Sequence, residues 1–162
     1  MMKFAAQAFL VAFFTVANGD AYSATTVNAL LEVKATIVAE CKISNVGTLN
    51  FGSVGLTTSN TDAFTTFSLQ CTKSTTYHIG IDQGVQPALT YPREMEGSAD
   101  ELTYELYSDP ERANRWGYYD PERLSGTGTG DAQTITVYGR IPVQSAVVPD
   151  DYADFCTIVV SY

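Results

Sequence analysis

The chain has 162 residues, of which 45% are hydrophobic, 12% aromatic and 17% charged. That profile excludes disordered and collagenous chains and bounds the fold to one domain. Nine Lys and Arg against eighteen Asp and Glu leave a net charge of -9, so the basic surface that tracks phosphates is missing and no nucleic-acid partner is expected. His78 is the one histidine, and with three cysteines spread along the chain it does not make a closed four-ligand zinc site.

Lys3 is followed by an apolar run from Phe4 to Ala17, of leader length and too short to span a membrane comfortably. Ala21-Tyr22-Ser23 and Gly19-Asp20-Ala21 offer the small residues that a signal peptidase reads. Cleavage is expected between Ala21 and Ala24, which makes residues 1–23 a signal peptide. No later segment stays apolar for roughly eighteen residues, so no integral membrane segment is expected after cleavage. Export into an oxidising compartment lets thiols pair. Cys41, Cys71 and Cys156 allow three single disulfides and leave one thiol over. Cys41 with Cys71 is the expected pair, and the spare thiol either takes a core position or bridges two molecules.

From Thr25 the dominant period is two, the signature of half-buried strand. Thr25, Val27, Ala29, Leu31, Val33, Ala35, Ile37 and Ala39 share one face, with Leu30 and Val38 as exceptions on the other. The run is too long for one ordinary strand and reads as two in one segment. Further strands are expected at 64–71, 76–82, 102–107, 133–141 and 154–162, and no helix is expected. Phe51-Gly52-Ser53-Val54-Gly55 reads as a turn, and Gly126-Thr127-Gly128-Thr129-Gly130 as a hairpin loop. In the last strand Cys156, Ile158, Val160 and Tyr162 share a face, which gives Cys156 a core-type position as a small apolar residue.

Asp109-Pro110-Glu111-Arg112 returns as Asp120-Pro121-Glu122-Arg123. Two Asp-Pro turns flanking a core Trp116 are expected, with their Glu and Arg side chains solvated. The carboxylates Glu94/Glu96, Asp100/Glu101 and Asp150/Asp151 with Asp154 read as solvated turn residues, since none has calcium-loop spacing. There is no Gly-x-Ser-x-Gly elbow, and His78 lies opposite the Tyr77/Ile79/Ile81 face. No catalytic residue, metal ligand or cofactor is therefore expected, and the chain is not expected to be an enzyme.

Leu49-Asn50-Phe51-Gly52, Leu69-Gln70-Cys71, Arg93-Glu94-Met95, Leu102 to Asp109, Trp116-Gly117, Val137-Tyr138-Gly139-Arg140-Ile141-Pro142 and Tyr152-Ala153-Asp154 follow one another in that order. Together they resemble the spore coat U-type domain, a family that includes the pilins of archaic, Csu-type chaperone-usher pili. The resemblance implies an all-β, incomplete immunoglobulin-like β-sandwich completed by donor-strand complementation. It implies a donor strand over 24–33, whose Val27, Ala29, Leu31 and Val33 enter a neighbour's groove, followed by a pilin domain over 34–162. Ala35 and Ile37 would then belong to the subunit's own first strand. Ile158, Val160 and Tyr162 would form the groove-edge strand that faces a chaperone. The implied function is a structural subunit of an adhesive surface pilus with roles in attachment and biofilm formation. Its implied partners are identical or related pilin subunits, a periplasmic chaperone and an outer-membrane usher. The alternative is a secreted coat or ligand-binding sandwich that complements itself.

Overall fold

The computed structural model describes residues 24–85 and 92–162; the signal peptide expected over 1–23 lies outside the described residues. The chain divides between Ala35 and Thr36. In the first unit, residues 24–35 are exposed and carry no regular secondary structure. The second unit holds eight strands: β1 Cys41–Ser44, β2 Thr61–Cys71, β3 Thr76–Ile81, β4 Arg93–Glu96, β5 Glu101–Tyr107, β6 Leu124–Thr127, β7 Ala132–Ile141 and β8 Ile158–Ser161. One sheet has the order β1-β2-β7-β5-β4, the other β6-β3-β8, and the strand pairs within both are antiparallel. No helix occurs among the described residues.

Alternation explains the long strands. In β2, Phe67, Leu69 and Cys71 are buried, and in β5 Leu102, Tyr104 and Leu106 are, because every second side chain of a strand faces the same side. Tyr77, Ile79 and Ile81 supply the face of the smaller sheet. Trp116 is fully buried among them: its indole Nε1 donates to the Ile79 carbonyl at 2.9 Å and its ring centroid lies 6.4 Å from that of Phe67. Cys41 and Cys71 form a disulfide across the directly paired positions of β1 and β2, with Cα atoms 4.1 Å apart.

In the strands and the repeated segments, four expectations need correction. The alternating segment 25–39 forms no strand, and β1 begins only at Cys41, so Ala35 and Ile37 lie outside the first strand. An alternating segment becomes a strand only when a neighbour takes its backbone N–H and C=O groups. Thr72 carries such support back only as far as Val38: its backbone N–H donates to the Glu40 carbonyl at 2.9 Å, and its hydroxyl accepts from Glu40 N at 2.8 Å and lies 3.2 Å from the Val38 carbonyl. The last strand is shorter than 154–162, because the ladder with β3 begins at Ile158 and Thr157 meets Asp82 just past the end of β3. Gly126 to Gly130 is no hairpin loop, since Gly126 and Thr127 belong to β6 and the rest crosses from the smaller sheet to β7 in the larger.

The fourth correction concerns the repeated Asp-Pro-Glu-Arg segments, whose charged side chains are not simply solvated. In the first copy, Asp109 accepts from Ala113 N at 2.9 Å and Asn114 N at 2.6 Å, bonds that hold its carboxyl below the usual range. Arg112 is nearly buried, donates to the Gly139 carbonyl at 3.1 Å and lies 5.8 Å from the Tyr138 ring centroid, within cation–π range. In the second copy, Arg123 pairs with Asp120 at 2.6 Å and Glu122 pairs with Arg115. The first copy is locked onto the larger sheet and the second onto the Arg115–Gly117 segment, with the buried Trp116 between them.

Candidate partner-binding cleft

Among the described residues each sheet ends in two edge strands, β1 and β4 in the larger and β6 and β8 in the smaller, and β4 is bridged on its outer side at Glu96 by Ala153. β8 pairs only with β3, and β1 only with β2, so each presents unpaired backbone donors and acceptors along its other side. At the approach to β8 lies a cleft of about 940 Å³. Its floor includes Met95, Leu102 and Ile141, and its walls are the segments 48–57 and 147–155.

The first wall is a strand-free run held by its turns. Asn50 Oδ1 accepts from Gly52 N at 2.7 Å, and Gly52 sits at φ 71°, a left-handed conformation that glycine adopts without strain. Thr57 closes the run by donating its hydroxyl to the Gln144 carbonyl at 3.0 Å. Leu49 and Phe51 lie so close over β7 that a Cβ on Gly139 would come within 2.9 Å of both, so a hydrogen there is what lets this wall reach the sheet.

The second wall is a turn tied by side chains. Tyr152 donates its hydroxyl to the Val148 carbonyl at 2.7 Å. Asp150 accepts from Ser98 N and Ser98 Oγ, each at 2.5 Å, and these bonds lower its pKa. Asp154 accepts from Val85 N at 2.8 Å, Phe155 N at 2.7 Å and Tyr104 Oη at 2.6 Å. These carboxylates are therefore fastened to the fold, contrary to the reading of them as merely solvated. Large apolar side chains stay in water on both walls, Leu56 at 82% and Phe155 at 78% exposure.

Cys156 stands between this wall and β8. Its thiol is free and half-buried and lies 3.0 Å from Tyr104 Oη. Burial raises its pKa, with the Tyr104 hydrogen bond as the main opposing influence. Since the thiolate is the reactive form, Cys156 in the folded chain is expected to react with a thiol reagent at pH 8 more slowly than in the urea-unfolded chain. Equal rates would show that the thiol is not shielded.

The residues assigned to a donor strand, Val27, Ala29, Leu31 and Val33, are exposed, Leu31 at 87%. Ile158 and Val160 are half-buried against the core, while Tyr162 is exposed. Sequence reasoning did not find the 48–57 wall as a site, because a loop has no periodicity to read. Its one signal was an apolar Leu49 and Phe51 flanking a turn. Among the described residues no group of three or more His, Cys, Asp or Glu could hold a metal ion.

The model of the Spore Coat Protein U domain matches residues 27–159, the whole of the sandwich but its last residues. The chain belongs to this family. The spore coat U domain chain is also 33% identical over 155 residues to Protein U of Myxococcus xanthus, covering 86% of this chain and 87% of that protein. Among solved structures it resembles a chain of the CsuC–CsuE chaperone–tip adhesion subunit pre-assembly complex, from the archaic chaperone-usher Csu pili of Acinetobacter baumannii. The TM-score is 0.54 at 20% identity, covering 78% of this chain. The spore coat U domain chain spans 40% of that chain's length. A second likeness, to the P pilus rod subunit PapA, has a TM-score of 0.49 at 13% identity and covers 75% of this chain and 98% of that one. The two antiparallel sheets and the likeness to the chain of the Csu pre-assembly complex make the architecture an all-β, immunoglobulin-like sandwich.

Proposed function

We propose that this spore coat U domain chain is a structural, non-enzymatic subunit of an adhesive surface pilus of the chaperone-usher type. Residues 24–33 are its donor strand, inserted into the open groove of a neighbouring identical or related subunit. One observation carries the reading: an exposed segment with alternating apolar residues belongs to the same chain as a sandwich with a free β8 edge and an open apolar cleft. Strand addition suits both, since backbone bonds supply affinity and alternate side chains supply register. Before assembly a periplasmic chaperone covers the groove along Ile158, Val160 and Tyr162, and an outer-membrane usher passes the subunit to the cell surface. Attachment and biofilm formation are the functions such a pilus serves.

The alternative reading is a secreted coat module whose fold completes itself within one molecule, and the family's description as a spore coat domain is what keeps it in view. Gel electrophoresis of the mature chain and of a chain lacking residues 24–33, each with and without boiling, separates the two. A heat-sensitive ladder from the intact chain, with only chaperone-bound or aggregated subunits from the shortened one, is the result expected of a pilin. Compact monomers from both chains would establish the self-complemented module instead.

A further inference from the structure

The two walls of the cleft differ in charge. The wall 48–57 has no ionisable side chain, whereas the wall 147–155 carries Asp150, Asp151 and Asp154. Asp150 and Asp154 are occupied by the hydrogen bonds described above. Asp151 is exposed, and among the described residues its carboxylate has no partner. A subunit of charge -9 approaching this wall on another of the same charge meets like charge unless its arm brings a cation. Residues 24–35, the donor strand and the two residues that follow it, hold one cation, Lys34, whose side chain is 79% exposed and, among the described residues, pairs with Glu32 of its own chain at 2.5 Å.

We infer that Lys34 of one copy meets Asp151 of the next, and that this pair fixes the direction and register of the inserted strand. The inference rests on the strand-donation reading and adds which residues oppose which. Only an antiparallel arm, with Lys34 at Asp151, runs onward beside β8; a parallel one leads away from it. Counting along from that pair sets Leu30 opposite Phe155 and Val27 opposite Ile158. Ala29 then faces Cys156, and Leu31 faces Asp154, whose carboxylate is already turned onto Tyr104.

A second feature agrees with this register. Leu30 broke the alternation of the arm, an exposed leucine on the polar face, and Phe155, at the end of the wall, is the exposed aromatic in phase with exposed Asp151 and Ala153. The register that joins the two charges also brings these two together, since outward residues of an antiparallel pair lie directly opposite one another. A slip of two residues in either direction keeps the inward face apolar but parts both pairs at once. Period-two alternation alone does not exclude such a slip, so the outward pairs are what set the register.

The test is a charge-reversal cycle in the full mature chain, where each copy carries both arm and wall: Lys34→Glu, Asp151→Lys and the two combined. Both residues are exposed, so none of these changes threatens the fold. Assembly is followed as the rate at which the heat-sensitive ladder appears. Each single change is expected to slow it about two- to five-fold, the scale of an exposed pair. The double change is expected to restore it, and Lys34→Gln to remove most of its salt dependence. Wild-type rates in the single variants, or no recovery in the double variant, overturn the pairing. If that happens while Leu31→Asp still blocks the ladder, the arm reading survives and only the register falls. If Leu31→Asp also assembles, both fall.

Discussion

Replacing Arg93 with methionine is expected to destabilise the folded chain by about 3–5 kcal/mol, read as a lower urea midpoint at unchanged slope. Arg93 lies on β4 and is 1% exposed. Its Nε donates to the Asp82 carbonyl at 2.8 Å, and its Nη2 to the carbonyls of Ile81 at 2.9 Å and Trp116 at 2.8 Å. Its Nη1 meets Glu105 Oε1 at 2.8 Å. One planar guanidinium thus ties the end of β3, the Trp116 segment and β5 together. Methionine fills much of the same volume but leaves three carbonyls short of a donor and Glu105 with the more distant Arg115, 3.5 Å away. A buried acceptor left unpaired carries its full desolvation cost. Arg93→Lys keeps the charge but lacks the fork that reaches four acceptors, so it should fall between wild type and methionine. A loss below about 1 kcal/mol for methionine would mean that water replaces the guanidinium at little cost.

Arg93 also explains why parts of the fold were hidden in the sequence. β2, β3, β5 and β7 were legible because each alternates over six or more residues around a buried face. β4 is Arg-Glu-Met-Glu, and its most deeply buried side chain is a charged one, so an apolar count passes over it. β6 is Leu-Ser-Gly-Thr, short and nearly featureless, and it is a strand because β3 offers it an edge. The converse error occurred at 25–39, where the alternation is strong and no strand forms, because pattern reports what a segment is able to pair with and not whether its own chain supplies the partner. The site divides in the same way. The arm's apolar face was readable from its period, whereas the cleft is made by two irregular segments brought together by hydrogen bonds of Asn50, Thr57, Asp150, Tyr152 and Asp154. Nothing in local composition announces those bonds.

Leu31→Asp is expected to abolish the heat-sensitive ladder while leaving the subunit folded, disulfide-bonded and able to bind its chaperone. The side chain is 87% exposed in the chain itself, so the substitution removes no contact made there. Its cost falls on the inserted state. Val27, Leu31 and Val33 together offer three aliphatic side chains worth about 1.5–3 kcal/mol each on full burial, before ordering entropy. Aspartate forfeits one of them and places a carboxylate in an apolar groove, opposite Asp154 in the register argued above. The arm cannot escape by shifting one residue, since that turns Thr26, Asn28 and Glu32 inward together. Asn28→Asp supplies the control: it adds the same charge to the same arm on the outward face, and its ladder should persist. Loss of the ladder in both variants would trace the effect to arm charge in general, and its survival in Leu31→Asp would remove Leu31 from the groove altogether.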